Sequence, residues 1–120
     1  ETTKWVADIR DLYEAFEADT PQFRRNWWEA AFKTPSYVTN FETPERFFTD
    51  WVVPTTNKGV QDRVISKSYV AVQPSNVQEE LRKKIDTVLD SHEKVWIDET
   101  SGIFEYPYRT TVIAMKKKAN

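Results

Sequence analysis

A chain of 120 residues carries 30% charged and 39% hydrophobic side chains, with 5 Trp, 5 Tyr and 7 Phe, enough for one packed domain of ordinary size. Its formal net charge is −2 with both signs interspersed, so no general field draws nucleic acid or an anionic membrane. It has no cysteine and one histidine, which excludes disulfide scaffolds, thiolate nucleophiles, Cys/His pairs and multi-histidine metal sites, and leaves the redox compartment open.

The longest apolar runs are four or five residues, too short to cross a membrane, and no signal-peptide pattern opens the chain. The chain begins at Glu1 and not at methionine, so we expect that a preceding segment has been removed.

Residues 4–18 read as an amphipathic helix, because Trp5, Val6, Ile9, Leu12, Tyr13 and Phe16 fall on one stripe. Thr20-Pro21 restarts the chain as N-cap and first helical residue, and predicts a second helix over 21–33 carrying Phe23, Trp27, Trp28, Ala31 and Phe32. Between Pro35 and Pro54 prolines punctuate aromatic and β-branched residues, and one strand is expected near 47–53. Thr55, Thr56, Asn57 and Gly59 form a polar junction, followed by a short helix through Val60, Val64 and Ile65 up to Ser68. Ser75 and Gln78 fit a capping box that opens a helix to about residue 91, with Val77, Leu81, Ile85, Val88 and Leu89 at helical spacing. Gly102 ends the next loop. The last strand spans 103–115, with Phe104, Tyr106, Tyr108, Thr110, Val112 and Ala114 on one face and Ile103, Arg109, Ile113 and Met115 on the other. Pro107 interrupts it, so it should sit at a bulge or turn its missing N–H away from the neighbouring strand. The fold class is α+β, helices packed on a small antiparallel sheet in a single domain. Residues 1–40 form its helical segment and residues 41–120 its terminal strands and helices.

Few residues point to chemistry. His92, just after a helix, reads as a surface residue favoured by the helix dipole, with a general base as the alternative. Glu79-Glu80 and Asp98-Glu99 are neighbours in sequence and do not face one another on a helix, so they read as solvated faces. Lys116, Lys117 and Lys118 read as a solvated tail. The adjacent Trp27 and Trp28 cannot both point one way, which frees one to line a pocket or meet a partner. Aromatic residues exceed what a small core needs, and we assign Phe23, Trp27, Trp28, Tyr37 and Tyr108 as candidate substrate-binding residues. No catalytic residue and no metal ligand is assigned. Backbone cradles for phosphate or adenosyl groups take several glycines after a strand, and this chain has two, Gly59 and Gly102, far apart.

Two clusters carry a resemblance. One runs from Gly59 through Asp62-Arg63-Val64 and Ser66-Lys67-Ser68-Tyr69 to Pro74; the other runs Gly102-Ile103-Phe104-Glu105-Tyr106-Pro107-Tyr108-Arg109-Thr110 and on to Ala114. Together with the helix between them, they resemble the C-terminal end of class I S-adenosylmethionine-dependent small-molecule methyltransferases of the type 11 group, in the fungal trans-aconitate-type branch. The likeness covers residues 45–116; residues 4–40 match in kind, as the helical stretch that follows the fifth strand and covers substrate. It implies a Rossmann-like sheet whose sixth and seventh strands form the antiparallel edge pair, a cytoplasmic setting and a role in secondary metabolism. It also implies S-adenosylmethionine as cofactor, held by the family's cofactor half or a partner chain and not by this chain alone. The first five strands, the glycine loop and the acidic ribose-binding residue have no counterpart here.

Ser66, Ser68, Tyr69, Pro107 and Arg109 belong to the signature and read as structural. The two serines can bond nearby backbone where a helix gives way to an extended segment, and Arg109 can offer a charge-assisted bond beside Tyr69 and Tyr108. Three functions follow in order: the substrate-side portion of a methyltransferase, a truncated non-catalytic subunit of a full-length one, or a repurposed small-molecule binder or cofactor-free enzyme. Expected partners are a second copy or a methyltransferase chain, with a small-molecule ligand and neither nucleic acid nor membrane.

Overall fold

The computed structural model describes residues 3–119, and its contacts divide the chain into two compact units: residues 3–20 with 52–107, and residues 21–51 with 108–119. The architecture is mixed α and β, with one three-stranded antiparallel sheet in the order β1-β3-β2. These strands are β1 (Glu45–Thr55), β2 (Trp96–Asp98) and β3 (Ile103–Ala114). Both β1 and β3 contribute residues to both units.

In the first unit, α1 (Lys4–Glu14) buries Trp5 and Ile9, one turn apart. It stops four residues short of the expected end. The chain reaches Ala18 at φ 50, a left-handed conformation that costs a residue with a Cβ about 1–2 kcal/mol and ends a helix. Helix α3 (Asn57–Ile65) starts where the Thr56 hydroxyl accepts from the Gly59 N–H at 3.2 Å. A Cβ at Gly59 would lie 2.5 Å from the Thr55 hydroxyl oxygen, which explains the glycine. Val60 and Val64 are buried, and so is Val70 of the short α4 (Ser68–Ala71).

Helix α5 (Ser75–Asp90) matches its predicted span and buries Leu81, Ile85 and Leu89 against α1 and α3. Its expected capping box is not formed. Pro74 is the N-cap, and the Gln78 amide instead donates to the carbonyls of Ala71 (3.1 Å) and Gln73 (3.0 Å), tying α5 to the end of α4. With the cap at Pro74 the third helical position falls on Val77, which has no polar side chain, and proline has no N–H to donate to one, so the box cannot close.

Gly102, at φ 71, turns β2 into β3. Trp96 pairs with Phe104, and the Glu105 N–H donates to the Val95 carbonyl at 2.8 Å. Strand β2 was not foreseen, since three residues in a charged stretch carry little periodicity. The rings of Phe104 and Tyr106 meet Trp5 edge-on at 5.6 and 5.1 Å and close this core.

In the second unit the expected helix over 21–33 is replaced by two 3-10 turns, Phe23–Arg25 and Trp27–Lys33. Asn26 between them sits at φ 59, which asparagine tolerates and an α-helix does not. An unforeseen helix, α2 (Pro35–Asn40), follows, with the Thr34 hydroxyl accepting from the Tyr37 N–H at 3.3 Å and Pro35 at its first position. Strand β1 encloses the predicted 47–53. The lysine tail is not merely solvated: the Glu42 N–H donates to the Lys116 carbonyl and the Lys118 N–H to the Asn40 carbonyl, both at 2.8 Å.

The alternation along β3 places Pro107. Glu105 presents its N–H to the β2 side, while Lys116 and Lys118 use their backbone groups towards residues 40–42, which lead into β1. Pro107 shares the parity of Glu105, so its missing N–H faces away from β1, beyond the end of β2. No helix among the described residues is long and apolar enough to cross a membrane.

Candidate functional site

The second unit is organised by a row of rings. Phe23 stacks on Trp28 (5.0 Å, 6°), Trp28 meets Phe32 edge-on (6.0 Å), Phe32 meets Tyr37 (5.1 Å), and Tyr37 stacks on Phe41 (5.1 Å, 11°). The left-handed turn at Asn26 lets the indole Nε1–H of Trp28 donate to the Phe23 carbonyl at 2.9 Å. The hydroxyl of Tyr37 donates to the Glu42 carbonyl at 3.0 Å. Arg46 lies over Trp28 (5.4 Å) and Phe32 (5.8 Å) and pairs with Glu29 at 3.0 Å, covering one flank of the row.

A cavity of about 430 Å³ opens at the C-terminal end of this row, walled by Phe32, Tyr37, Phe41, Val38 and Pro44, with Glu42 and Lys118 among its polar groups. The Lys118 ammonium donates to the Val38 carbonyl at 2.8 Å. Apolar walls with a few polar groups suit a flat, mostly apolar small molecule.

Of the five residues assigned from the sequence, Tyr37 lines this cavity, and Phe23 and Trp28 belong to the row that leads to it. Trp27 is 55% exposed beneath Arg25 and lies outside the row. Tyr108 stacks on Trp51 at 5.1 Å, and Trp51 donates to the Thr110 hydroxyl at 2.7 Å. Phe32 and Phe41 were not singled out. Their signal was the spacing of aromatics at 23, 28, 32, 37 and 41, alternating steps of five and four.

The signature residues hold local structure. Ser66 donates to the Arg63 carbonyl at 2.7 Å. Ser68 opens α4, so the chain does not become extended there, and the N-cap is Lys67 with no side-chain bond. Arg109 does not serve Tyr69 or Tyr108 as expected: it forks onto both carboxylate oxygens of Asp50, at 2.7 and 3.0 Å. A planar fork matching a carboxylate explains the preference.

Among the described residues the first unit holds one buried charged group, Glu17, 2% exposed. Lys67 packs its ammonium 4.4 Å above the Tyr13 ring, and Arg63 lies 4.9 Å above Tyr106. Burial holds the Lys67 ammonium below its ordinary range; the charge of Arg63 adds to this and that of Glu17 opposes it. His92 is less exposed than expected: its side chain is 18% exposed, with Nδ1 2.7 Å from the Val88 carbonyl and Nε2 2.8 Å from the Asp8 carboxylate. It bolts α5 to α1, which leaves neither nitrogen turned to a substrate.

Among the described residues no group of three or more His, Asp or Glu stands together to hold a metal ion. The sequence matches no family model, no curated protein and no solved structure.

Proposed function

We propose that this chain is the substrate-side, C-terminal portion of an S-adenosylmethionine-dependent small-molecule methyltransferase, and that it does not hold the cofactor by itself. The observation that carries the reading is the open side of β3. This strand bears the signature Phe104 to Thr110 and pairs with β2 only as far as Glu105. Beyond it the N–H groups of Arg109, Thr111 and Ile113, which share the parity of Glu105, face a side on which no strand lies among the described residues. A sheet that continues in another part of the enzyme leaves such an edge, and an open edge recruits a strand. The two glycines support the cofactor half of the reading. Gly59 answers a close approach to Thr55 and Gly102 a turn, and the two stand on separate elements, not in one glycine-rich loop.

The test has two arms. Calorimetric titration of the chain alone with S-adenosylmethionine is expected to give no saturable binding tighter than about 100 μM, roughly −5.5 kcal/mol. Residues 3–119 joined after the fifth strand of a trans-aconitate-type cofactor half are expected to give a soluble protein that binds S-adenosylmethionine one to one. Tight binding by the chain alone, or a chimera whose C-terminal part stays unfolded, overturns the reading.

A second reading, a small-molecule binder that works without the cofactor, draws on the cavity at Phe32, Tyr37 and Phe41. A ligand screen in the absence of S-adenosylmethionine, read by tryptophan fluorescence, tests it.

A further inference from the structure

The first unit has a second concavity, a groove of about 290 Å³ between α1 and α5. Leu12, Phe16 and Leu81 form its apolar floor and Asp11 and Glu80 its acidic rim; Lys84 also lines it and is engaged by Glu80 at 3.6 Å. The groove holds about ten waters' volume of liquid, room for one large aromatic side chain. The second unit carries exposed rings of that size. Phe23 and Trp27 are 61% and 55% exposed, and Arg24 and Arg25 lie between them, with Arg25 stacked 5.2 Å over the Trp27 ring. The charges match on a larger scale too. The first unit has nine basic against fifteen acidic side chains, whereas the second has eight basic against four acidic.

We propose that the groove between α1 and α5 takes the Phe23–Trp27 segment of a second copy of this chain, so that copies join head to tail. The Trp27 ring enters the apolar floor, and the basic character of its segment faces the acidic rim of Asp11 and Glu80. The surface that donates and the surface that accepts are different, so each copy can both give and take, and copies join either in a closed set or in an open chain. One short segment in one groove buries much less than the roughly 1,200–2,000 Å² of a stable complex, so the association is weak, near 100 μM by order of magnitude.

Sedimentation equilibrium from about 10 μM to about 1 mM reads the association on this affinity scale. The weight-average mass is expected to rise above 14.2 kDa with concentration. Raising salt from about 0.05 M to about 0.5 M should weaken the association, because the rim charges are exposed. The decisive step uses two variants at exposed positions: Trp27→Ala removes the donor, and Asp11→Lys with Glu80→Lys removes the acceptor. Each alone is expected to stay at the monomer mass. Mixed in equal amounts they should form a one-to-one pair and stop there, since each retains the surface the other lacks. A monomer at every concentration overturns the proposal. Association that survives in each variant alone also overturns it; that result is what pairing along the open edge of β3 would give.

Discussion

The two units of this molecule spend their side chains differently. Among the described residues all ten buried apolar side chains, from Trp5 to Tyr106, lie in the first unit, and so does the one buried acid, Glu17. The second unit has no buried residue among those described, yet it holds three of the five tryptophans and five of the seven phenylalanines. The first is held by burial, which removes roughly 1.5–3 kcal/mol of exposure cost per large apolar side chain. The second is held by rings that touch neighbours four or five residues away and by hydrogen bonds of their indole and phenol groups. Such contacts stay half in water, and each is worth only about 0.5–1.5 kcal/mol beyond its area. The comparison teaches that aromatic content does not measure core size.

The largest expected effect breaks the first unit. Trp5→Ala removes the ring on which Phe104 and Tyr106 both rest and should cost about 3–5 kcal/mol in urea denaturation. A loss below about 1 kcal/mol would mean that burial does not hold this unit together. Trp28→Ala cuts the aromatic row between Phe23 and Phe32 and should cost less, about 1–2 kcal/mol. Its signature is spatial. Amide exchange should quicken across residues 23–41 while the protected amides of α5 keep their rates. Equal acceleration in both units would show one cooperative body.

Much of the first unit was legible in the sequence because burial writes a period. Ile9 follows Trp5 by one turn, and Leu81, Ile85 and Leu89 repeat every four residues, so α1 and α5 declare themselves. The alternation of β3 was equally plain: Trp51 reaches Tyr108 and Thr110 on one face, and Asp50 reaches Arg109 on the other. The second unit misled for a physical reason. Thr20-Pro21 and Thr34-Pro35 are the same helix-start signal, but only the second opens an α-helix. After the first, Asn26 takes a left-handed turn that the apolar spacing of Phe23, Trp27 and Phe32 does not reveal. Tyr37 lines the cavity together with Phe32 and Phe41, which were passed over because the five-and-four spacing of the row matches neither helix nor strand.

Titration sharpens the contrast with the smallest expected effects, one charged group on each side. In the first unit burial lowers the Lys67 ammonium from its ordinary 10.5. Between its folded value and 10.5 the unfolded chain holds a proton that the folded chain has lost, so stability rises as pH climbs through that window. Lys67→Gln should flatten this alkaline rise, and salt should change it little because the group is half-buried. In the second unit the hydrogen bond from Arg109 holds the Asp50 carboxyl below its ordinary 3.8. Here the contribution is complete above 3.8 and is lost as pH falls through the folded value, where Asp50 takes up its proton. Both partners are two-thirds exposed, at 67% each, so water and salt screen the pair. Asp50→Asn should therefore melt slightly below the parent protein at neutral pH, and the gap should close in about 1 M salt and again in acid, below the folded value of Asp50. A gap that persists in acid would locate the role of Asp50 outside its pairing with Arg109. A salt-sensitive rise at Lys67 would mean that its ammonium stands in water like the surface charges of the other unit.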